Sequence, residues 1–223
     1  LAERGTGWTS PNPLVGAVIV KDGRIIGEGW HTACGQPHAE REALAACDED
    51  PAGSTLYVTL EPCCHWGKTP PCTDAILEAG IARVVVGALD PNPLVAGQGC
   101  AQLREAGTVV ETGVLEEGCR HLNEVFFHFI TTGRPLVVLK YAMTLDGKAA
   151  TRTGASRWIT GPEARERVHR DRHRFAAIMV GIGTALADDP ALTCRLEGGP
   201  WRQPLRIVVD SQGRLPLDAL LVR

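Results

Sequence analysis

Two short segments constrain this chain more than any other feature, because together they carry the side chains of a metal site. The first is PHAE at residues 37–40, and the second is EPCCHWGKTPPC at residues 61–72. One imidazole, His38, and two thiols, Cys63 and Cys72, form a three-ligand set. Such a set is typical of a catalytic zinc ion with an open fourth position, whereas structural zinc usually takes four protein ligands. The pattern therefore predicts metal-activated water beside a carboxylate.

The first segment reads as the start of a helix. A helix that begins near Pro37 and continues through the run at residues 40–46 places His38 and Glu40 in its first turn. Backbone N–H groups lack intrahelical partners there. We therefore expect both side chains to face the mouth of this helix.

The two cysteines also fall at the ends of predicted elements. Cys63 follows the apolar run at residues 56–60, where a strand gives way to a loop. Cys72 follows two prolines and opens a helix, whose positive dipole end favours a thiolate. A strand end and two helix starts are thus predicted to meet at one metal.

A closed structural site is the main alternative, and it would need a fourth protein ligand from Cys64 or His65. We expect Cys64 to be a packed or exposed thiol, because adjacent residues on one loop rarely both reach the same metal in tetrahedral geometry. If the site were closed, the chain would be a non-catalytic zinc-stabilised binding module, which has no use for Glu40.

The segment His38-Ala39-Glu40 followed by two Pro-Cys pairs resembles the cytidine deaminase superfamily, in which a Glu that does not bind zinc shuttles protons. Eight residues separate Cys63 from Cys72. This long form, C-x-H-x-G-K-T-P-P-C, is similar to the riboflavin-pathway deaminase, which is the amino-terminal half of a bifunctional deaminase-reductase. The resemblance implies that Glu40 is catalytic. The implied zinc ligands are His38, Cys63 and Cys72.

The same resemblance implies a phosphorylated pyrimidine as substrate, namely 2,5-diamino-6-(5-phosphoribosylamino)pyrimidin-4(3H)-one. By residue type alone, the chain supports only zinc-dependent amidine hydrolysis of a ring. Cys64 stands where the family usually has a polar residue. The implied substrate contacts are Asn12, His31, His65, Lys68, Asp90 and Asn92.

Composition narrows the class of partner. A hydrophobic content of 44% and a formal net charge of −3 are those of a globular protein without a basic nucleic-acid groove. A deaminase of nucleic-acid bases is therefore disfavoured, as it is by the long cysteine spacing. Eight irregularly spaced cysteines favour a reducing cytoplasm. No run approaches the roughly 18 apolar residues of a membrane span, and the sequence leaves a homo-oligomer open.

Alternating patterns predict an α/β class for the first part of the chain. After a short helix tail at residues 1–5, a β-hairpin is expected from two apolar runs around Asp22-Gly23. The resemblance implies the three-layer cytidine-deaminase-like fold. Predicted strands are 14–20, 24–30, 55–60, 83–88 and 108–113, and predicted helices are 39–47, 71–79, 96–106 and 115–129.

A Gly and a Pro bracket a predicted linker at residues 131–135, which divides the chain into domains 1–133 and 134–223. The second domain has strand patterns at 136–143, 176–183 and 205–210, and a helix that opens at residue 161. Its motifs are similar to the reductase half of the bifunctional protein, a dihydrofolate-reductase-like α/β domain that uses NADPH. Gly181 and Gly183 are too few for a dinucleotide fingerprint.

The resemblance also implies site residues in this second domain, although Trp158 could equally be a core residue. The implied NADP contacts are Ala142, Trp158, Thr184, Asp188 and Ser211. The implied substrate contacts are Ser156, Arg172 and Arg195.

Both ends of the chain are expected to be internal to a longer protein. The chain opens at Leu1 rather than Met and stops at Arg223 in an apolar pattern, and the second domain is short for its family. We expect this incomplete reductase domain to leave Ile207 and Val209 uncovered. The 223 residues should then deaminate but not reduce.

Overall fold

The computed structural model describes residues 1–67 and 69–223, which divide into two units, Leu1–Leu136 and Val137–Arg223. The last helix of the first unit ends at Gly133, whose left-handed φ of 67° suits glycine at a helix end. The predicted boundary after residue 133 lies close to this division, and its exact place stays a prediction. Lys68 lies outside the described residues.

The first unit is built on a mixed five-stranded sheet in the order β2-β1-β3-β4-β5. β1 pairs antiparallel with β2 and β3, whereas β3, β4 and β5 are parallel neighbours. Val84, Val85 and Val86 of β4 are all buried, as expected for a parallel strand covered on both faces. The strands are β1 (Gly16–Lys21), β2 (Arg24–Trp30), β3 (Thr55–Leu60), β4 (Arg83–Ala88) and β5 (Val109–Thr112).

Helices cover both faces of this sheet and complete the predicted three-layer α/β fold. Ala43, Ile76 and Leu103, from three successive helices, join the apolar cluster on one face. On the opposite face Cys119 lies directly over Gly87, where a Cβ would collide with its sulfur. The helices are α1 (Ala39–Ala45), α2 (Cys72–Glu78), α3 (Gln98–Glu105), α4 (Glu116–Leu122) and α5 (Glu124–Thr132), preceded by a 3₁₀ helix at Ala2–Gly5.

The start of α1 is fixed by close packing on β2. A Cβ at Gly29 would collide with the backbone of Ala39 and Ala43, so only glycine allows this approach. The first turn of α1, which carries His38 and Glu40, is therefore held tightly against the sheet.

The structure departs from the sequence prediction in two places. The helix predicted at 115–129 is broken into α4 and α5 at Asn123. The side chain of Asn123 accepts a hydrogen bond from the N–H of Leu14 and donates one to its carbonyl oxygen. The strand predicted at 136–143 is wrong, since these residues form no strand and Leu139 is 82% exposed. An extended run needs a hydrogen-bonded neighbour, and among the described residues none pairs with it.

The second unit contains a two-stranded parallel sheet, β6 (Ala177–Gly181) with β7 (Leu205–Val209). Helix α6 (Pro162–Arg174) precedes β6, and α7 (Ile182–Asp188) follows it at once, so the strand predicted at 176–183 ends two residues early. A small core of Ala185, Leu192 and Leu221 packs under this sheet. The sequence led us to expect that Ile207 and Val209 are uncovered. Val209 is 57% exposed, in agreement, but Ile207 is partly buried.

Among the described residues the longest helix is α6, with 13 residues, most of them polar or charged. A membrane-spanning helix needs about 20 predominantly apolar residues. None of the helices described here could therefore cross a membrane.

Candidate metal centre and active site

Three side chains from separate elements converge where the sequence predicted a metal. His38 is the N-cap residue of α1, with extended φ and ψ of −76° and 162°. Cys72 is the first residue of α2, and Cys63 lies in the segment that follows β3. The predicted meeting of one strand end and two helix starts is what the structure shows.

Backbone hydrogen bonds explain the long separation of the two cysteines. The N–H groups of Cys72 and Thr73 both donate to the carbonyl oxygen of Cys63, over 3.0 and 3.2 Å. These are amides of the first turn of α2, which have no partner within the helix. The chain therefore leaves the site after Cys63 and returns to the same carbonyl at Cys72, after eight intervening residues.

The donor atoms fit a zinc ion. The Nδ1 atom of His38 lies 3.4 Å from the Sγ atom of Cys63 and 3.4 Å from that of Cys72. Tetrahedral zinc, with bonds of about 2.3 Å to sulfur and about 2.0 Å to nitrogen, requires an N–S separation of about 3.5 Å. All three atoms lie within 4.8 Å of one another. One imidazole and two thiols are also a donor set that zinc prefers.

The local electrostatics favour a thiolate in this group. Hydrogen bonds from the Cys72 thiol and from His38 lower the pKa of the Cys63 thiol to about 4. The bond to Cys63 in turn raises the pKa of His38. Proximity to the Cys63 thiolate and burial raise the pKa of Cys72. Without a cation only one thiol of the pair ionises readily, so a divalent metal would stabilise the second thiolate.

Glu40 lies beside this group without belonging to it. The side chain is 3% exposed and sits in the first turn of α1. Burial, reinforced by the nearby Cys63 thiolate, raises the pKa of the carboxyl group to about 7. A carboxyl with a pKa near neutrality can both accept and return a proton, which is the property required of a general acid–base.

The two other candidate ligands, Cys64 and His65, lie outside this group. The thiol of Cys64 is half-buried and donates weakly to the carbonyl oxygen of Leu94, 3.9 Å away. The Nδ1 atom of His65 is buried and has no hydrogen-bond partner in the described part of the chain. Neither residue belongs to the three-ligand group. The geometry therefore favours an open site over a closed structural one.

A cavity of about 260 Å³ opens beside the metal group. This volume lies just below the range of drug-sized ligand pockets, which begins at about 300 Å³. Five of the six predicted substrate residues line this cavity, and the sixth, Lys68, is outside the described residues. Those that line it are Asn12, His31, His65, Asp90 and Asn92, together with His38, Glu40 and Cys63.

His31 and Asn12 form a hydrogen-bonded pair in the wall of the cavity. The Nδ1 atom of His31 donates to the carbonyl oxygen of Pro37 over 3.0 Å. Burial lowers the pKa of His31, so its neutral ring accepts at Nε2 from the Asn12 amide over 3.1 Å. This pairing orients the amide of Asn12 and leaves its oxygen available as an acceptor.

Another part of the cavity lining is a chain of two Asx turns. The Asp90 carboxylate accepts the Asn92 N–H over 2.8 Å, and the Asn92 side chain accepts the Leu94 N–H over 3.1 Å. Burial raises the pKa of Asp90 to about 6. The remaining oxygen of Asp90 is not used by this turn.

Comparison with known proteins supports this geometry. Residues 1–88 match the family described as the cytidine and deoxycytidylate deaminase zinc-binding region, and residues 135–223 match the RibD C-terminal domain. The chain is 58% identical, over its full 223 residues, to the riboflavin biosynthesis protein RibD of Actinobacillus pleuropneumoniae, of which it covers 59%. It is 53% identical over 219 residues, or 98% of its length, to that of Aquifex aeolicus, of which it covers 61%.

The chain belongs to the RibD family. Among solved RibD structures, the deaminase/reductase of Thermotoga maritima superposes with a TM-score of 0.91 at 52% identity, over 96% of this chain and 61% of that one. RibD of Acinetobacter baumannii gives a TM-score of 0.91 at 49% identity, over 98% of this chain and 63% of that one. The chain thus spans about three fifths of the length of its RibD relatives.

In the RibD C-terminal region, two predicted substrate residues come together. Arg172 donates to the carbonyl oxygen of Thr193 over 3.1 Å, and Arg195 donates to the Thr193 hydroxyl over 2.8 Å. Burial, together with the Arg195 charge, lowers the pKa of Arg172, whose Nε atom is buried without a partner among the described residues. Two adjacent guanidinium groups can bind an anion. Ser156, the third predicted contact, is partly buried in the segment before α6.

The residues that the RibD resemblance implies for NADP are more dispersed. Thr184 lies in the first turn of α7 and Ser211 follows β7, so both are at the carboxyl edge of two parallel strands, where nucleotides bind in open α/β sheets. Trp158 is 71% exposed and stacks under Arg165, which rules out a core position. Ala142 is partly buried in a segment without regular structure, and Asp188 ends α7.

Two buried polar residues of this RibD-family chain were missed by sequence reasoning. Glu61 accepts hydrogen bonds from the backbone N–H groups of Asp90, Gly97 and Cys100. Asn123 bonds to both the N–H and the carbonyl of a residue 109 positions earlier. The one signal for Glu61 in the sequence is indirect: Gly97, at the start of α3, has no side chain that could cap this helix, so an acceptor must come from another part of the chain. Nothing local signals Asn123.

Proposed function

We propose that the first unit catalyses the hydrolytic deamination of 2,5-diamino-6-(5-phosphoribosylamino)pyrimidin-4(3H)-one in riboflavin biosynthesis. The observation that carries this proposal is a three-ligand group with a buried, non-coordinating Glu40 at the floor of a cavity. The T. maritima relative is described as a diaminohydroxyphosphoribosylaminopyrimidine deaminase and 5-amino-6-(5-phosphoribosylamino)uracil reductase. High identity across the whole chain supports the same substrate here.

His38, Cys63 and Cys72 would hold the zinc ion, which when bound supplies an acidified water by lowering its pKa from about 15.7 toward about 7. Glu40 then moves the protons. Its carboxylate accepts a proton from the attacking water and delivers it to the ring nitrogen beside the amino-bearing carbon. A second transfer protonates the departing amine, so that one water and one amine become a ring carbonyl and ammonia. Burial raises the pKa of Glu40 toward neutrality, which favours a carboxyl group that both accepts and returns a proton.

The walls of the cavity provide polar groups for the pyrimidine. The amide of Asn12 is oriented by the neutral His31 ring and offers an acceptor to an exocyclic N–H. Asp90 and Asn92 also line the cavity. His65 has an unpartnered ring nitrogen that could bond to the ribose or its phosphate. Lys68 as a phosphate contact stays a prediction from the family motif.

A small phosphorylated molecule fits this chain better than a nucleic acid. The net charge of −3 supports this, because proteins that bind a polynucleotide strand usually carry an excess of basic side chains. Eight cysteines with irregular spacing suit a reducing compartment, so we place the reaction in the cytoplasm.

The second unit is proposed to contribute to NADPH-dependent reduction of the ribosyl group to ribityl, when the reductase domain is complete. The adjacent Arg172 and Arg195 support binding of the substrate phosphate, and the parallel edge near Thr184 and Ser211 supports a nucleotide site. When bound, NADPH supplies the hydride. Supplying the deaminated pyrimidine with NADPH and following the NADPH absorbance tests how much of this activity these 223 residues have.

An ammonia-release assay tests the main proposal. The zinc-loaded chain is given the riboflavin-pathway pyrimidine, with cytidine and guanine in parallel reactions. We expect ammonia from the pyrimidine alone. Release from cytidine or guanine at a comparable rate would contradict the proposed specificity, and no release from any substrate by a fully zinc-loaded chain would contradict the deaminase assignment.

A further inference from the structure

We propose that Glu61 is a positioning residue that holds residues 90–95, one wall of the active-site cavity, in the arrangement that binds substrate. This inference rests on the proposed deaminase function. The Oε2 atom of Glu61 accepts the N–H groups of Asp90 and Gly97, over 3.2 and 2.9 Å. The Oε1 atom accepts the N–H group of Cys100 over 3.1 Å. Three backbone donors thus converge on one carboxylate that is 4% exposed.

Helix α3 depends on this carboxylate for its cap. Its N-cap residue is Gly97, which has no side chain to accept a hydrogen bond. The first N–H groups of a helix need an acceptor from elsewhere, and a negative charge is favourable at that end. Glu61, in the segment that follows β3, supplies the acceptor oxygens and the negative charge to the N–H groups of Gly97 and Cys100. Gly99 allows the close approach, because a Cβ there would collide with the carbonyl oxygen of Pro62.

The hydrogen bond from the Asp90 N–H to Glu61 connects this carboxylate to the lining of the cavity. Asp90 and Asn92 are linked in consecutive Asx turns, so a shift of the Asp90 backbone displaces both side chains. Both of them and Val95 line the cavity. Glu61 also lies two positions before the ligand Cys63. The segment that carries both Glu61 and Cys63 therefore connects the metal group to residues 90–95 of the cavity lining.

Glutamine at this position keeps the shape of the side chain but not its bonding. Glu61→Gln has one acceptor oxygen where the carboxylate has two, and its NH₂ group faces N–H donors. The variant can satisfy the donors on one side only. The three metal ligands and Glu40 remain unchanged, since Glu61 does not belong to the ligand group.

The test compares the wild-type chain with Glu61→Gln by zinc content, by kcat and KM for ammonia release, and by hydrogen exchange. We expect KM for the pyrimidine to rise about tenfold or more, which is the effect of losing one hydrogen bond to a charged group. Zinc content and kcat should stay close to wild type. The amides of Asp90, Gly97 and Cys100 should exchange faster, while those of β1 and β2 should not change.

A matched pair of glycine variants tests the wall without touching Glu61. Gly97 and Gly107 lie at opposite ends of α3, with φ of 88° and 93°, and at both positions a Cβ meets nothing within 4 Å. Alanine strains either backbone equally. We expect Gly97→Ala to raise KM and Gly107→Ala to leave it unchanged.

Each result decides between explanations. Unchanged KM and unchanged exchange in Glu61→Gln would overturn the proposal, and so would loss of zinc with a collapse of kcat, which would make Glu61 a support of the metal site. If that variant does not fold, equal KM values for the two glycine variants overturn it. If the wild-type chain releases no ammonia, the proposed function fails, while the exchange of the three amides still tests the role of Glu61.

Discussion

Replacing Asn123 by alanine should destabilise the first unit although the residue lies far from the metal. The Asn123 side chain accepts the N–H of Leu14 over 2.7 Å and donates to its carbonyl over 2.8 Å. It is 3% exposed and stands between α4 and α5. These two bonds connect the last helices of the unit to the segment that carries Asn12.

The magnitude follows from the two lost bonds. Each net hydrogen bond contributes about 0.5–1.5 kcal/mol, and more where the abandoned group cannot reach water. Asn123→Ala should therefore lower the free energy of unfolding by about 2–3 kcal/mol. Val125→Ala is a suitable control, because Val125 is 40% exposed at the start of α5, two residues after Asn123, and surface changes alter stability by about 0.5 kcal/mol or less.

Urea denaturation followed by hydrogen exchange of the β1 and β3 amides would measure this unit separately from the second one. The amide of Leu14 should also lose protection in Asn123→Ala but not in Val125→Ala. If the two variants differ by less than about 0.5 kcal/mol, the clamp on Leu14 contributes nothing and the break between α4 and α5 needs another cause.

Three further outcomes are expected. Glu40→Gln should keep its zinc and lose ammonia release by more than the ~10²–10⁴ of a single acid–base step, because one carboxylate serves several transfers; near-normal turnover would remove Glu40 from the reaction. Cys63→Ala or Cys72→Ala should lose zinc and stability, whereas Cys64→Ser should keep full zinc occupancy by metal analysis. Burial raises the pKa of Asp90 from 3.8 to about 6, so Asp90 contributes stability below pH 3.8 that is lost as the pH rises through 6; Asp90→Asn, measured by urea denaturation, should gain stability relative to wild type between pH 4 and pH 7, and a constant difference would contradict this.

The metal group could be predicted because its signals are local. A proline marks the start of each helix that carries His38 or Cys72, and an apolar run marks the strand before Cys63. The position of each ligand at the end of a helix or strand can therefore be predicted from the residues next to it in the sequence. To predict the metal site, one further assumption is enough, namely that the two helix starts and the strand end lie close together.

The supports of the site could not be predicted because their partners are distant in the chain. Glu61 contacts residues 29 to 39 positions away, and Asn123 contacts one 109 positions away. Local preference carries no information about such pairs. The strand expected at 136–143 failed for the same reason, since β-propensity describes a residue's fit to a neighbour and not the presence of that neighbour.

Because the chain returns to the carbonyl of Cys63, the geometry of the metal ligands is held separately from the sequence of the loop between them. The N–H groups of Cys72 and Thr73 fasten the end of the excursion where it began, so the coordination geometry does not depend on what lies between. Residues 64–71 can vary in length or be exchanged between relatives without rebuilding the metal group. Of the six predicted substrate contacts, only His65 and Lys68 lie in this loop, so its exchange would alter part of the cavity lining and leave the metal ligands in place.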